Sequence, residues 1–164
     1  MNDINTKSLF ISVVGKPNVG KSSLVNMVVN SKVSIVSPKP QTTRDKIMGI
    51  FTNENTQLVF IDTPGLLQPK NRLGDYMVSQ INSSFSGAEA ILHVVEVGND
   101  LNQLDEKLIA KFKKSNVPVI LVINKIDLLK DKTSLITEID KWRKEFSYAQ
   151  IIPISAKTGD GREI

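Results

Sequence analysis

Eight consecutive residues, Gly15-Lys16-Pro17-Asn18-Val19-Gly20-Lys21-Ser22, carry the chemistry from which the rest of the chain is read. They follow an apolar run, Leu9 to Val14, and match G-x-x-x-x-G-K-[ST], a loop that binds phosphate between a strand and a helix. The two glycines, Gly15 and Gly20, let the backbone curl so that successive N–H groups, those of Asn18, Val19 and Ser23 among them, converge on phosphate oxygens. Lys21 adds a full positive charge, and Ser22 offers a hydroxyl to Mg²⁺. A triphosphate needs all three.

Four further clusters follow in order. Leu58-Val59-Phe60-Ile61-Asp62 is an apolar stretch that delivers a carboxylate to the carboxyl edge of a sheet, where Asp62 can help hold Mg²⁺ through a water. In Asp62-Thr63-Pro64-Gly65, the glycine lacks a Cβ and can bring its N–H against a terminal phosphate. Asn124-Lys125-Ile126-Asp127 decides the base. Asp127 can accept from both the ring N–H and the exocyclic amine of guanine, and adenine presents neither donor. A site built on such bonds rejects the analogue that lacks them by roughly 10⁴ to 10⁵. Asn124 ties this loop to the phosphate loop, and the stem of Lys125 can lie along the base plane. In Ser155-Ala156-Lys157 the Ala156 N–H is placed to donate to the guanine carbonyl.

These positions require a scaffold of alternating strands and helices. Apolar runs at Leu9–Val14, Ala90–Val97, Val117–Ile123 and Ile151–Ile154 alternate with helical periodicity at Lys21–Asn30, Leu101–Ser115 and Ser134–Phe146. Asp45–Thr52 and Gln57–Ile61 form a hairpin about Asn53-Glu54-Asn55, a short strand is expected near Val33–Val36, and a helix from about Arg72 to Phe85. The fold class is α/β, a mostly parallel, doubly wound sheet of about six strands with helices on both faces. The 164 residues suffice for one domain. The net charge of +4 is a mild basic excess and weak evidence for nucleic acid, Lys111, Lys113 and Lys114 reading as a solvated helix face. There is no cysteine, and neither a signal peptide nor a membrane span is visible, which places the protein in the cytoplasm. Gly161-Arg162-Glu163-Ile164 looks like the start of a closing helix, so the chain reads as a truncated fragment.

With these motifs in place the chain resembles the translation-factor-related small GTPases, and more closely the Era family, over essentially its whole length. The nucleotide motifs are common to all such GTPases. Pro40-Gln41-Thr42-Thr43-Arg44, and the segment Lys70 to Met77 with Leu73-Gly74-Asp75-Tyr76-Met77, point to Era. The resemblance implies a G domain over residues 1–164, with switch I at about 31–44 and switch II at about 62–80. It makes Thr43 (with Thr42 in reserve) the Mg²⁺ ligand that senses the γ-phosphate, so that Ser22, Thr43 and Asp62 form the metal set. It also implies a C-terminal KH domain, absent from these residues, that binds 16S ribosomal RNA, and a role in assembling the small ribosomal subunit. A monomeric chain with peripheral association at the inner face of the membrane completes the expectation.

For hydrolysis the catalytic list is short: Lys21, Thr43, Gly65 and Asn18, with the loop amides. Leu66 stands where Ras-like GTPases carry the Gln that orients water, and an apolar side chain cannot do that. A slow intrinsic rate follows, with K⁺, held partly by Asn18, as an added cofactor that supplies charge; related GTPases with this Asn motivate that role. The alternative is a nucleotide-gated docking module that turns over negligibly without a partner or K⁺. An adenine-nucleotide kinase or ATPase is disfavoured by Asp127. His93 is read as a hydrogen-bonded core or edge position, Trp142 as helix packing and Arg44 as a solvated loop residue.

Overall fold

The computed structural model describes residues 7–29, 46–53, 55–62 and 87–161. Within them six strands form one sheet: β1 (Lys7–Val14), β2 (Lys46–Asn53), β3 (Thr56–Asp62), β4 (Ala90–Glu96), β5 (Val119–Asn124) and β6 (Gln150–Pro153), in the order β2-β3-β1-β4-β5-β6. All neighbours are parallel except the β2–β3 hairpin at one edge, where Asn53 lies opposite Thr56. The expected α/β class and strand number are borne out.

Helices cover both faces because the inner strands are apolar on both. On one side α1 (Lys21–Val29) packs Leu24, Val25 and Val29 against Ile11, Val13, Phe60, Val94 and Val122. On the other, α2 (Gln103–Phe112) and α3 (Lys132–Glu145) bring Leu108, Ile109, Phe112 and Trp142 onto Ile91, Val95, Leu121 and Ile123. The period of two along β4, with Ile91 and Val95 facing one way and Val94 the other, divides the two cores.

Helix ends differ from the sequence expectation where a side chain caps the backbone. The helix expected from Leu101 starts at Gln103. Asn102 is its N-cap, accepting from the N–H groups of Leu104 and Asp105, while Asp105 accepts from Asn102 N–H in return. The helix expected from Ser134 starts at Lys132 because Asp131 accepts from Ser134 N–H at 2.8 Å. Among the described residues no helix is long and apolar enough to cross a membrane. The strand expected near Val33–Val36 and the helix from Arg72 to Phe85 lie outside the described residues.

β1 is the switch point of this topology. The chain runs from it to β3 on one side and later to β4 on the other, which opens a crevice at the carboxyl ends of the strands.

Candidate nucleotide site

The loop after β1 is shaped by what it must approach. Gly15 has φ +149°, and a Cβ there would collide with the Val94 carbonyl oxygen; Gly20 has φ +96°, and a Cβ would strike Asn124 Nδ2. Neither position admits a side chain. Asn18 takes φ +65°, a left-handed conformation that Asn tolerates better than most residues. Val19 is buried between the two glycines and pins the loop to the α1-side core. The first intrahelical bond of α1 runs from Leu24 N–H to the Gly20 carbonyl, so the Lys21, Ser22 and Ser23 amides belong to the open, positive end of the helix.

Lys21 folds back over its own loop. Its Nζ donates to the Gly15 carbonyl at 3.1 Å and the Lys16 carbonyl at 2.8 Å. Burial lowers its pKa, and the charge of Asp62 opposes that shift. Asp62 ends β3 opposite Val13, so its carboxylate and the loop lysine address the same space.

The second half of the site is built round one buried carboxamide. Asn124 Nδ2 donates to the Val19 carbonyl at 2.8 Å, and Asn124 Oδ1 accepts from Lys125 N–H at 2.8 Å and Ala156 N–H at 3.0 Å. Three loops that are remote in sequence are fastened by a single side chain. Lys125 stands at φ +65°, and its ammonium meets Glu96 Oε2 at 2.8 Å. Asp127 is oriented by the Ser155 hydroxyl, which donates to Oδ1 at 2.6 Å. Ser155 is buried and is itself held by the Thr158 amide and by backbone bonds to Gly159 and Asp160. Between the halves lies a cleft of about 490 Å³, with Gly20 and Ser23 on the phosphate-loop side and Asn124, Lys125, Asp127, Ala156 and Lys157 on the other. That volume suits a small ligand.

The structure therefore brings Gly15, Asn18, Val19, Gly20, Lys21, Ser22, Ser23, Asp62, Asn124, Lys125, Asp127, Ser155, Ala156 and Lys157 to one end of the sheet. Thr43 and Gly65, with Arg44 and Leu66, lie outside the described residues. The Ala156 amide, expected at a base carbonyl, is bonded here to Asn124. Two acidic residues escaped the sequence reading. Glu96 ends β4 in register with Asn124, and its strand-end position, the same as that of Asp62, was the available signal. Asp105 meets Lys16 at 2.6 Å, and nothing local in the sequence announces it.

His93 belongs to the core. It is fully buried, with Nδ1 3.0 Å from the Tyr148 hydroxyl and its ring edge-on to Phe112 and Trp142. Burial above all, and then the charge of Lys16, holds its pKa down at about 3. Burial likewise pushes the Tyr148 hydroxyl up.

A phosphate loop at a sheet switch point, opposed by a carboxylate-bearing loop across a cleft, defines a P-loop nucleotide-binding domain. The family described as 50S ribosome-binding GTPase matches residues 10–125, and the chain belongs to that GTPase family. Within it the Era resemblance is borne out. GTPase Era of Clostridioides difficile (strain 630) is 45% identical over 153 residues, which cover 93% of this chain and 52% of that protein. Among solved structures, an Era variant from Aquifex aeolicus bound to GDP and tetrafluoroaluminate superposes with a TM-score of 0.75 at 38% identity, covering 96% of this chain and 54% of that one. Era in complex with MgGDPNP and nucleotides 1506–1542 of 16S ribosomal RNA gives 0.75 at 39% identity, with the same coverage of 96% and 54%. The chain thus spans about half the length of the relatives it matches.

Proposed function

We propose that this chain is the G domain of an Era-type switch, which binds GTP in the cleft and hydrolyses it to GDP and phosphate. The observation that carries the reading is the threefold fastening by Asn124, which sets an oriented carboxylate, Asp127, across from the phosphate loop. Asp127 takes the two guanine donors. Lys125, held at Glu96, covers the base with its stem, and the 155–157 turn closes the pocket from the far side.

At the other end, a water attacks the γ-phosphorus, the bond to the β–γ bridging oxygen breaks, and GDP leaves as phosphate forms. Lys21 neutralises charge on the β- and γ-phosphates from the position where its ammonium already crosses the loop. The oxygens of Ser22 and Asp62, with Thr43, suit Mg²⁺, a hard cation that keeps waters and takes few protein ligands. When bound, Mg²⁺ neutralises charge on the β- and γ-phosphate oxygens. Asn18, in the middle of the loop, is assigned to K⁺, and Thr43 and Gly65 to sensing the γ-phosphate.

Contact with 16S ribosomal RNA, and a role in small-subunit assembly in the cytoplasm, are proposed for the whole protein on its likeness to the RNA-bound Era structure. The family description names the large subunit instead. The small subunit is preferred because Gln41-Thr42-Thr43-Arg44 and Leu73–Met77 single out Era.

Single-turnover cleavage of GTP and ATP, each in K⁺ and in Na⁺, tests the reading. GTP should be consumed faster in K⁺ while ATP survives. Comparable cleavage of ATP would overturn the base assignment, and equal GTP turnover in the two salts would remove Asn18 from the catalytic list.

A further inference from the structure

Position 16 is one of the unspecified positions of the phosphate-loop motif, and Asp105 belongs to no nucleotide motif. The fold nevertheless brings them together. Lys16 Nζ lies 2.6 Å from Asp105 Oδ2, with the carboxylate fully buried and the lysine side chain 18% exposed. The same oxygen accepts from Asn102 N–H at 3.0 Å and so closes the cap of α2, and Lys16 Nζ also donates to the Asp100 carbonyl at 3.3 Å.

The main chain of residue 16 continues the connection, because its carbonyl accepts from Lys21 Nζ at 2.8 Å. An aspartate is almost never fully buried unless it is paired. Here it is taken inside, and its other oxygen, Oδ1, has no hydrogen-bond partner among the described residues. Burial of that kind is poorly repaid as stability, and its best-attested use is to fix a register.

We propose that Asp105 is a positioning residue for nucleotide binding. Through the Lys16 ammonium it fixes the stretch of main chain whose two carbonyls, those of Gly15 and Lys16, aim Lys21 at the phosphates. The N-terminus of α2 thereby becomes part of the phosphate site without touching the ligand. This rests on the reading of Gly15–Ser22 as the nucleotide's phosphate loop.

The test is a double-mutant cycle on GDP affinity, measured by titration with a fluorescent GDP analogue, with thermal melting alongside. Asp105→Asn keeps the shape and the cap acceptor but removes the charge, and Lys16→Met removes its partner. Each should weaken GDP binding about tenfold, and the double variant no more than either alone, as coupled neighbours behave. Lys16→Arg, which keeps the pair, should bind within threefold of the unchanged chain. Asn102→Ala strips the side-chain cap but leaves the ion pair, and should lower the melting temperature with GDP affinity unaltered. GDP binding by both Asp105→Asn and Lys16→Met within twofold of the unchanged chain would overturn the proposal, as would independent, additive losses in the cycle. If Asp105→Asn does not fold, the Lys16→Met and Lys16→Arg pair decides: a loss restored by arginine supports the proposal, and equal binding by the two overturns it. If the unchanged chain itself fails to bind GDP, the functional reading falls and takes this inference with it.

Discussion

Replacing Asp127 with Asn exchanges one carboxylate oxygen for an NH₂ group and changes little else. The Ser155 hydroxyl that now donates to Oδ1 at 2.6 Å can donate equally to a carboxamide oxygen, so the 155–160 turn keeps its anchor and the fold should be spared. The new NH₂ then faces the base. Guanine's ring N–H and exocyclic amine lose a charged acceptor and meet a donor. A hydrogen bond to a charged group contributes about 1.5–3 kcal/mol. Losing two costs about 3–6 kcal/mol, or roughly 10²- to 10⁴-fold in Kd. Xanthine carries a carbonyl in place of the exocyclic amine and can accept from the introduced NH₂, so the variant should gain affinity for xanthosine diphosphate as it loses GDP. Parallel titrations with the two diphosphates, with melting curves as a control, give the answer. A GDP Kd within threefold of the unchanged chain would refute the assignment of Asp127 to the base. A lower melting temperature with no gain for the xanthine nucleotide would trace the effect to the turn instead.

Asn124→Ala should remove three hydrogen bonds at once and leave the Val19 carbonyl and the Ala156 amide without their partner. At about 1 kcal/mol each this is a loss of about 3 kcal/mol in denaturant unfolding, accompanied by faster GDP release; an unshifted midpoint would contradict the fastening role. Acid should expose the cost of burying His93. Its pKa in the fold is about 3 against an unfolded value of 6.5, so the unfolded chain takes up the proton first. This contribution to stability is whole above pH 6.5 and is lost as pH falls toward 3, at up to about 1.4 kcal/mol per pH unit. Between pH 7 and pH 5 it amounts to about 2 kcal/mol. His93→Gln should remove that part of the slope, and identical pH dependence of the two proteins in denaturant titrations would refute the account.

Much of the site is legible in sequence because its pieces are local. Gly15, Gly20, Lys21 and Ser22 lie within one turn of chain whose backbone path follows from the residues themselves, and each base-side motif directly follows an apolar strand. The apolar runs also located the strands to within one or two residues, since a strand buried on both faces must be apolar throughout. Helix starts were less legible. Whether Asn102 or Asp131 caps depends on φ and ψ at one residue, which the apolar period does not report.

By itself, then, the chain pointed to the kind of ligand and determined the class of fold, because glycine spacing, strand apolarity and the donor pattern of a base are short-range facts. Tertiary structure alone decided which residues hold those motifs in place. Asn124 reaches a carbonyl 105 residues away, Lys125 finds Glu96, and Lys16 finds Asp105 across the sheet edge. Such pairs form only where parallel strands end side by side. No short window of sequence contains both partners, and the physical quantity that joins them, a short distance between a donor and an acceptor, does not exist until the chain has folded.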